Sequence, residues 1–284
     1  MTRRWWPTAR LAGGAAILVV LVLRVGTGPF LDGARRVDGW SLAFATAVTL
    51  LTTICCAWRW TLVARSLGVG LPLGAAVGAY YRSQLLNSTL PGGVVGDVHR
   101  GVVHGRGAGD VRRGLLAVVW ERLAGQVVLA AVALPVLWWW LRSPAPRVAL
   151  LVVVPVLVGL ALAAARRGLL ARRVWPGVVL ASAVAVAGHV ATFLVAARTA
   201  GVDASPRVLI PLALLALLAM SVPTSVAGWG PREGVAAWAF AAAGLGAEQG
   251  VATAVVYGVM SFVATLPGVA LLARTWLVRE AAHG

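Results

Sequence analysis

The chain has 284 residues, of which 60% are hydrophobic and only 12% charged, with a formal net charge of +16 and a mean hydropathy of +0.87. A soluble domain carries about 25% charged residues, so this chain has too few to coat a globule in water, and its continuously apolar runs lack the alternation that builds a membrane β-barrel. The basic balance does not point to nucleic acid, because the arginines sit singly or in pairs at the ends of apolar runs, as Arg35-Arg36, Arg112-Arg113, Arg166-Arg167 and Arg172-Arg173 do, where they orient spans.

In chain order, apolar stretches near 9–27, 40–63, 113–141, 148–165, 177–198 and 249–273 approach or exceed the ~20 residues that cross a hydrocarbon core. The fold class is therefore an all-α polytopic membrane protein with about six full transmembrane helices. The basic start of the first stretch imitates a signal peptide but lacks a small-residue cleavage site, so it is read as an uncleaved span. Cys55 and Cys56 are adjacent in an apolar run and read as small packing residues. Two further stretches are broken. Segment 74–94 ends in Leu90-Pro91-Gly92-Gly93, and segment 207–230 ends in Pro223 through Gly230 before Pro231. Such breaks survive at membrane depth only where protein or a polar cavity covers them.

The arginines also predict a topology. Arg3, Arg4 and Arg10 place the amino terminus in the cytoplasm; Arg65, the 96–113 segment, the 166–173 cluster, Arg274 and Arg279 follow on the same side. Both termini are then cytoplasmic, in a cell (inner) membrane, and Trp138-Trp139-Trp140 falls at the outer interface. Arg35 and Arg36 fit poorly, since this count puts 28–39 outside. Segments 74–94 and 207–245 must each enter and return, from opposite sides. The single domain, 1–284, is thus predicted to hold two inverted units, roughly 40–141 and 177–273, with re-entrant broken helices at the heart of each.

Charged groups at membrane depth are expensive and are site candidates for that reason. They are Arg59, Arg82, Glu121, Arg122, Arg232 and Glu233, with Asp97 and Arg100 just past the first break. Helical neighbours point about 100° apart, so Glu121 is expected to pair with Arg100, and Arg122 with Asp97, rather than with each other. Arg232 and Glu233 are expected to find distant partners by the same rule. Arg59, flanked by Trp58 and Trp60, reads as an arginine snorkelling at a cytoplasmic end. Five arginines against three acids leave two positive charges, which fits a phosphate-bearing ligand. Arg82, Arg100, Arg122 and Arg232 are the head-group candidates. Asn87, Asp97, Glu121, Glu233 and the break residues Pro91, Gly92, Gly93, Thr224, Ser225, Gly228 and Gly230 would support them with side chains, hinges and freed backbone donors. His189 reads as a packing residue, and His99, His104 and Glu248 as solvated. No nucleophile elbow, zincin, phosphate-loop or acidic metal motif is present; no cofactor or metal is expected.

The run from Leu90 through Pro91, Gly92, Gly93, Asp97 and Arg100, then Glu121-Arg122, then Ala227 through Gly234, resembles the lysylphosphatidylglycerol synthase transmembrane-region family. Arg59-Trp60 and Leu266-Pro267-Gly268 fit it too, and the resemblance spans about residues 10–275. It implies a flippase-like fold around a lipid-accessible cavity, with a lipid translocase as the expected function and a phospholipid or lipid-linked molecule as the expected partner. A homo-oligomer or an envelope-biosynthesis partner is compatible with it, and nucleic acid is not expected. The aminoacyl-transferase domain of the larger relatives is not expected in a chain of this length, so lysylphosphatidylglycerol synthesis is not expected either. Trp229 and Pro231 depart from a run that is often glycine-rich. The competing expectations are a glycosyl- or acyl-transferase on a polyprenyl-phosphate lipid, with Asp97 or Glu121 as base, and a non-catalytic partner subunit.

Overall fold

The computed structural model describes residues 17–90, 92–140, 159, 172–221 and 229–273, and among them every regular element is a helix. They are α1 (Ile17–Val25), α2 (Gly28–Arg35), α3 (Gly39–Ser66), α4 (Leu73–Thr89), α5 (Val95–Gly107), α6 (Val111–Trp140), α7 (Trp175–Thr199), α8 (Pro206–Met220), α9 (Pro231–Ala242) and α10 (Ala247–Thr265). After a one-residue turn at Leu266 the helix resumes at Pro267, and the apolar stretch, extended α10, runs over Ala247–Ala273. Among the described residues, four helices (α3, α6, α7 and extended α10) are long and apolar enough to cross a membrane. Of the expected first span, 9–27, α1 is the described part; it meets α2, which lies beyond that span, at a 95° bend, and the two count as a fifth span if taken together. The expected span at 148–165 falls outside the described residues except for Gly159, as do residues 9–16 of the first. The chain is a multi-pass membrane protein.

The two broken stretches form helix pairs whose arms are too short to span. In the first, α4 has 17 residues and α5 has 13, giving about 25 and 20 Å at 1.5 Å per residue. Contacts prove the turn-back. As the chain advances along α5, Asp97 meets Ser83 and Asn87, Arg100 lies over Tyr80, and His104 reaches the Val69 carbonyl. Most of segment 96–113 therefore belongs to α5, the returning arm of a hairpin, and its last residues open α6. His104 is correspondingly not solvated: Nε2 lies 2.7 Å from the Val69 carbonyl, and its ring sits edge-on to Trp60. Gly92 and Gly93 turn the chain at φ +95° and +61°, a left-handed conformation that costs glycine alone little. Asn87 then latches the turn. Its Nδ2 donates to Asp97 and its Oδ1 accepts the Gly96 N–H, both at 2.8 Å. The second pair, α8 of 15 residues and α9 of 12, packs in the same manner on either side of the second break.

Connections gather at two ends of the bundle. At one end, Arg36 donates to the Ala200 carbonyl that closes α7, and a side chain at Gly33 would meet the Ala252 carbonyl of α10. Capping a helix carboxyl end gives a role to Arg36, one of the two arginines that the charge count placed poorly. At the other end lie the 67–72 connection, the α5–α6 turn and the start of α7, where Val63, Ala124 and Val178 form one apolar cluster. Lipid-facing side chains such as Leu51, Trp139 and Leu180 stay exposed, as expected where hydrocarbon is the solvent.

Candidate functional site

A cavity of about 420 Å³ opens at mid-length of the long helices, and both breaks face it. Every long helix contributes: Arg59 from α3, Arg122 and Gln126 from α6, Ser182 and His189 from α7, Tyr257 from α10. Gly93 and Asp97 bring the first break to the wall; Trp229 and Arg232 bring the second.

On the first side, Glu121 is completely buried and ties four helices together. Arg59 of α3 binds it through Nε, at 2.8 Å, and through Nη2. Arg100 of α5 donates to its other oxygen at 2.7 Å, and the Tyr80 hydroxyl of α4 donates at 2.8 Å. Arg59 spends its remaining nitrogen on Ser182 of α7, at 2.8 Å. Arg100 is wedged between aromatic faces, 4.6 Å from the Trp60 ring and 4.2 Å from Tyr80, where a guanidinium is held by ring quadrupoles as well as by carboxylates. Its Nε also binds Asp97 at 3.0 Å. Asp97 accepts from Ser83 and Asn87 and forms an ion pair with Arg122 at 2.9 Å. The expected pairs, Glu121 with Arg100 and Arg122 with Asp97, are both present.

Arg59 is a correction. It is 6% exposed and does not snorkel, because α3 continues to Ser66 and carries it two turns inside the helix end. Gly125 makes the room: a Cβ there would stand 2.6 Å from Arg59 Nη1.

On the second side, Arg232 pairs with its own neighbour, Glu233, against the expectation of distant partners. The reason is local. Both lie in the first turn of α9, where Glu233 bends back so that Oε2 accepts the Gly230 N–H at 2.7 Å, and this swing brings Oε1 under Arg232 Nε at 2.9 Å. Gly230, at φ +118°, holds the backbone in the reach of that cap. Trp229 and Tyr257 flank the Arg232 guanidinium with ring centres 5.2 and 5.3 Å away, and Gly258 leaves space for it. The Tyr257 hydroxyl meets His189 Nδ1 at 3.0 Å, a polar role in the cavity wall beyond packing. Trp229, the departure noted in sequence, is thus an aromatic partner of the site.

Of the four head-group arginines expected, Arg122 and Arg232 reach the cavity wall, Arg100 stands behind it, and Arg82 is half-buried on α4 outside the lining. Asn87, Gly93 and Asp97 line it; Glu121, Glu233, Gly92 and Gly230 lie in the shell around it. Pro91, Thr224, Ser225 and Gly228 lie outside the described residues. His99 and Glu248 are exposed, as expected. No group of three metal-ligating side chains occurs among the described residues. Tyr80, Ser182 and Gly125 went unread because partners supplied by other helices leave no mark on hydropathy.

This arrangement, two charged helix breaks closing on one cavity, can be set beside known proteins. The family model described as Lysylphosphatidylglycerol synthase TM region matches residues 8–175 and 164–268. The chain belongs to that family. Together the matched stretches take in both broken helix pairs and all the site residues named above. No curated protein matches the chain.

Proposed function

We propose that this family member is a lipid translocase that receives the head group of an anionic or phosphate-linked lipid in the central cavity. One observation carries the reading: Arg122 and Arg232, from the two broken units, both line one cavity at mid-length of the long helices. Guanidinium forks match phosphate oxygens, and charged groups at that depth mark substrate pathways. Asp97 and Glu121 are already bound to arginines, which weighs against either serving as the base of a transferase.

The two units, 40–141 and 177–273, are read as inverted repeats, with both termini in the cytoplasm of a cell (inner) membrane. The succession of helix lengths supports this: 28, 17, 13 and 30 residues in the first unit, then 25, 15, 12 and 27 in the second. Rocking of such units about a fixed midplane site exposes it to each side in turn.

The test is a proteoliposome assay that follows a fluorescent phosphatidylglycerol between leaflets. Arg122→Ala and Arg232→Ala should each abolish translocation while the protein still elutes as a folded species. Wild-type rates in both variants would overturn the reading.

A further inference from the structure

Resting on that reading, we propose that Asp97 is the residue that sets the charge of the accepted head group, so that the cavity takes a singly charged phosphate group and turns away a doubly charged one. The arginines differ in how firmly they are held. Arg59 binds Glu121 through two nitrogens and Ser182 through the third. Arg100 binds Glu121 and Asp97 between two rings, and Arg232 binds Glu233 between two more. Arg122 differs. Its side chain is 40% exposed, and its one ion pair, to Asp97 at 2.9 Å, is not accompanied by an aligned hydrogen bond. Of the arginines that line the cavity, Arg59, Arg122 and Arg232, it is the most exposed and the most loosely held, and so the freest to turn its donors to a ligand.

Charge then decides what the ligand can be. Four arginines (59, 100, 122 and 232) stand against three carboxylates (97, 121 and 233), leaving one positive charge in excess. The undescribed break, 222–228, contains no ionisable residue, and neither does position 91. Of the other polar lining groups, Gln84, Gln126, Ser182 and Tyr257 are uncharged, and a histidine such as His189 is ordinarily neutral at about pH 8. An uncompensated charge in a water-poor interior is costly. A phosphodiester, with one negative charge, neutralises the excess. A phosphomonoester, with two, leaves the cavity negative. Asp97 is the carboxylate that matters for this balance, because it lines the cavity and faces the ligand-facing arginine, whereas Glu121 and Glu233 lie fully buried behind it.

Isothermal titration of the full detergent-solubilised chain tests this with three short-chain probes: phosphatidylglycerol (one charge), phosphatidic acid and phosphatidylcholine (no net charge). The pH is about 8, well above the second phosphate pKa of about 6. Wild type should bind phosphatidylglycerol at least about tenfold more tightly than phosphatidic acid, and Asp97→Asn should reverse that order, an inversion worth about 1.4 kcal/mol per tenfold. Gln126→Lys adds the same charge one turn beyond Arg122 without touching the buried network, and should reverse the order as well, so the test stands even where Asp97→Asn fails to fold. Equal binding of both anions by wild type, or an unchanged order in Gln126→Lys, overturns this proposal while leaving the translocase reading intact. Saturable binding of none of the three overturns both.

Discussion

Glu121 shows what a single buried carboxylate does when two cations depend on it. It pairs with Arg59 and Arg100 at once, so Glu121→Gln strands the Arg59 guanidinium in a dry interior and leaves Arg100 with Asp97 alone. Breaking a buried pair from one side costs about 3–5 kcal/mol, and thermal unfolding in detergent should show a loss of that order. Arg122→Gln is expected to behave in the opposite way: its half-exposed side chain contributes little to stability, and translocation alone should fall. Gly125→Ala tests the room left for Arg59. A methyl placed 2.6 Å from Nη1 pushes the guanidinium off Ser182, and should lower the melting temperature without changing membrane insertion. At this scale the sequence was informative where lipid forces opposite charges to meet, as for Glu121 with Arg100 and Arg122 with Asp97. It misled where local geometry took over. The rule that helical neighbours diverge fails for Arg232 and Glu233, because in a first turn the glutamate folds back to cap the helix.

At the scale of elements, helix ends matter as much as helix faces. Asp38 caps α3: its carboxylate accepts the Ser41 N–H at 2.7 Å, and the Asp38 N–H donates to Ser41 Oγ at 3.2 Å. The Ser41 N–H holds the Asp38 pKa below its ordinary 3.8. Because the folded value lies below the unfolded one, the cap stabilises fully above pH 3.8 and its contribution is lost as pH falls through the folded pKa. Asp38→Ala should therefore melt at a lower temperature than wild type at neutral pH, and the gap should close only in acid below pH 3.8. Hydropathy located α3, α6, α7 and α10 because each carries a continuous apolar run. It ended the second span at 63, three residues short of Ser66, and that small error turned a buried Arg59 into an interfacial one. The returning arm α5 was harder to see as a helix. Four glycines and five charged or histidine side chains lower its apolar character, and its stability comes from contacts with α4 and α6 that no single segment announces.

For the whole molecule, the arrangement of ends makes a topological prediction. The α5–α6 turn should face the cytoplasm and the α7–α8 connection the outside. In a background with Cys55 and Cys56 replaced by serine, an impermeant maleimide should label Ala108→Cys only from the cytoplasmic face and Asp203→Cys only from the outer one. Labelling of Ala108→Cys from outside would reverse the assignment. The bond between Arg59 and Glu121 also bears on how the chain is made. The two residues are 62 positions apart, so the ribosome delivers α3 to the membrane long before its counter-charge exists. A helix carrying a lone arginine at its inner third enters lipid reluctantly, and must wait beside the insertion machinery until α6 emerges. The first broken unit is thus expected to enter the bilayer as one batch, and a ribosome stalled before residue 121 should leave α3 extractable by alkali, while one stalled after α6 has emerged should not.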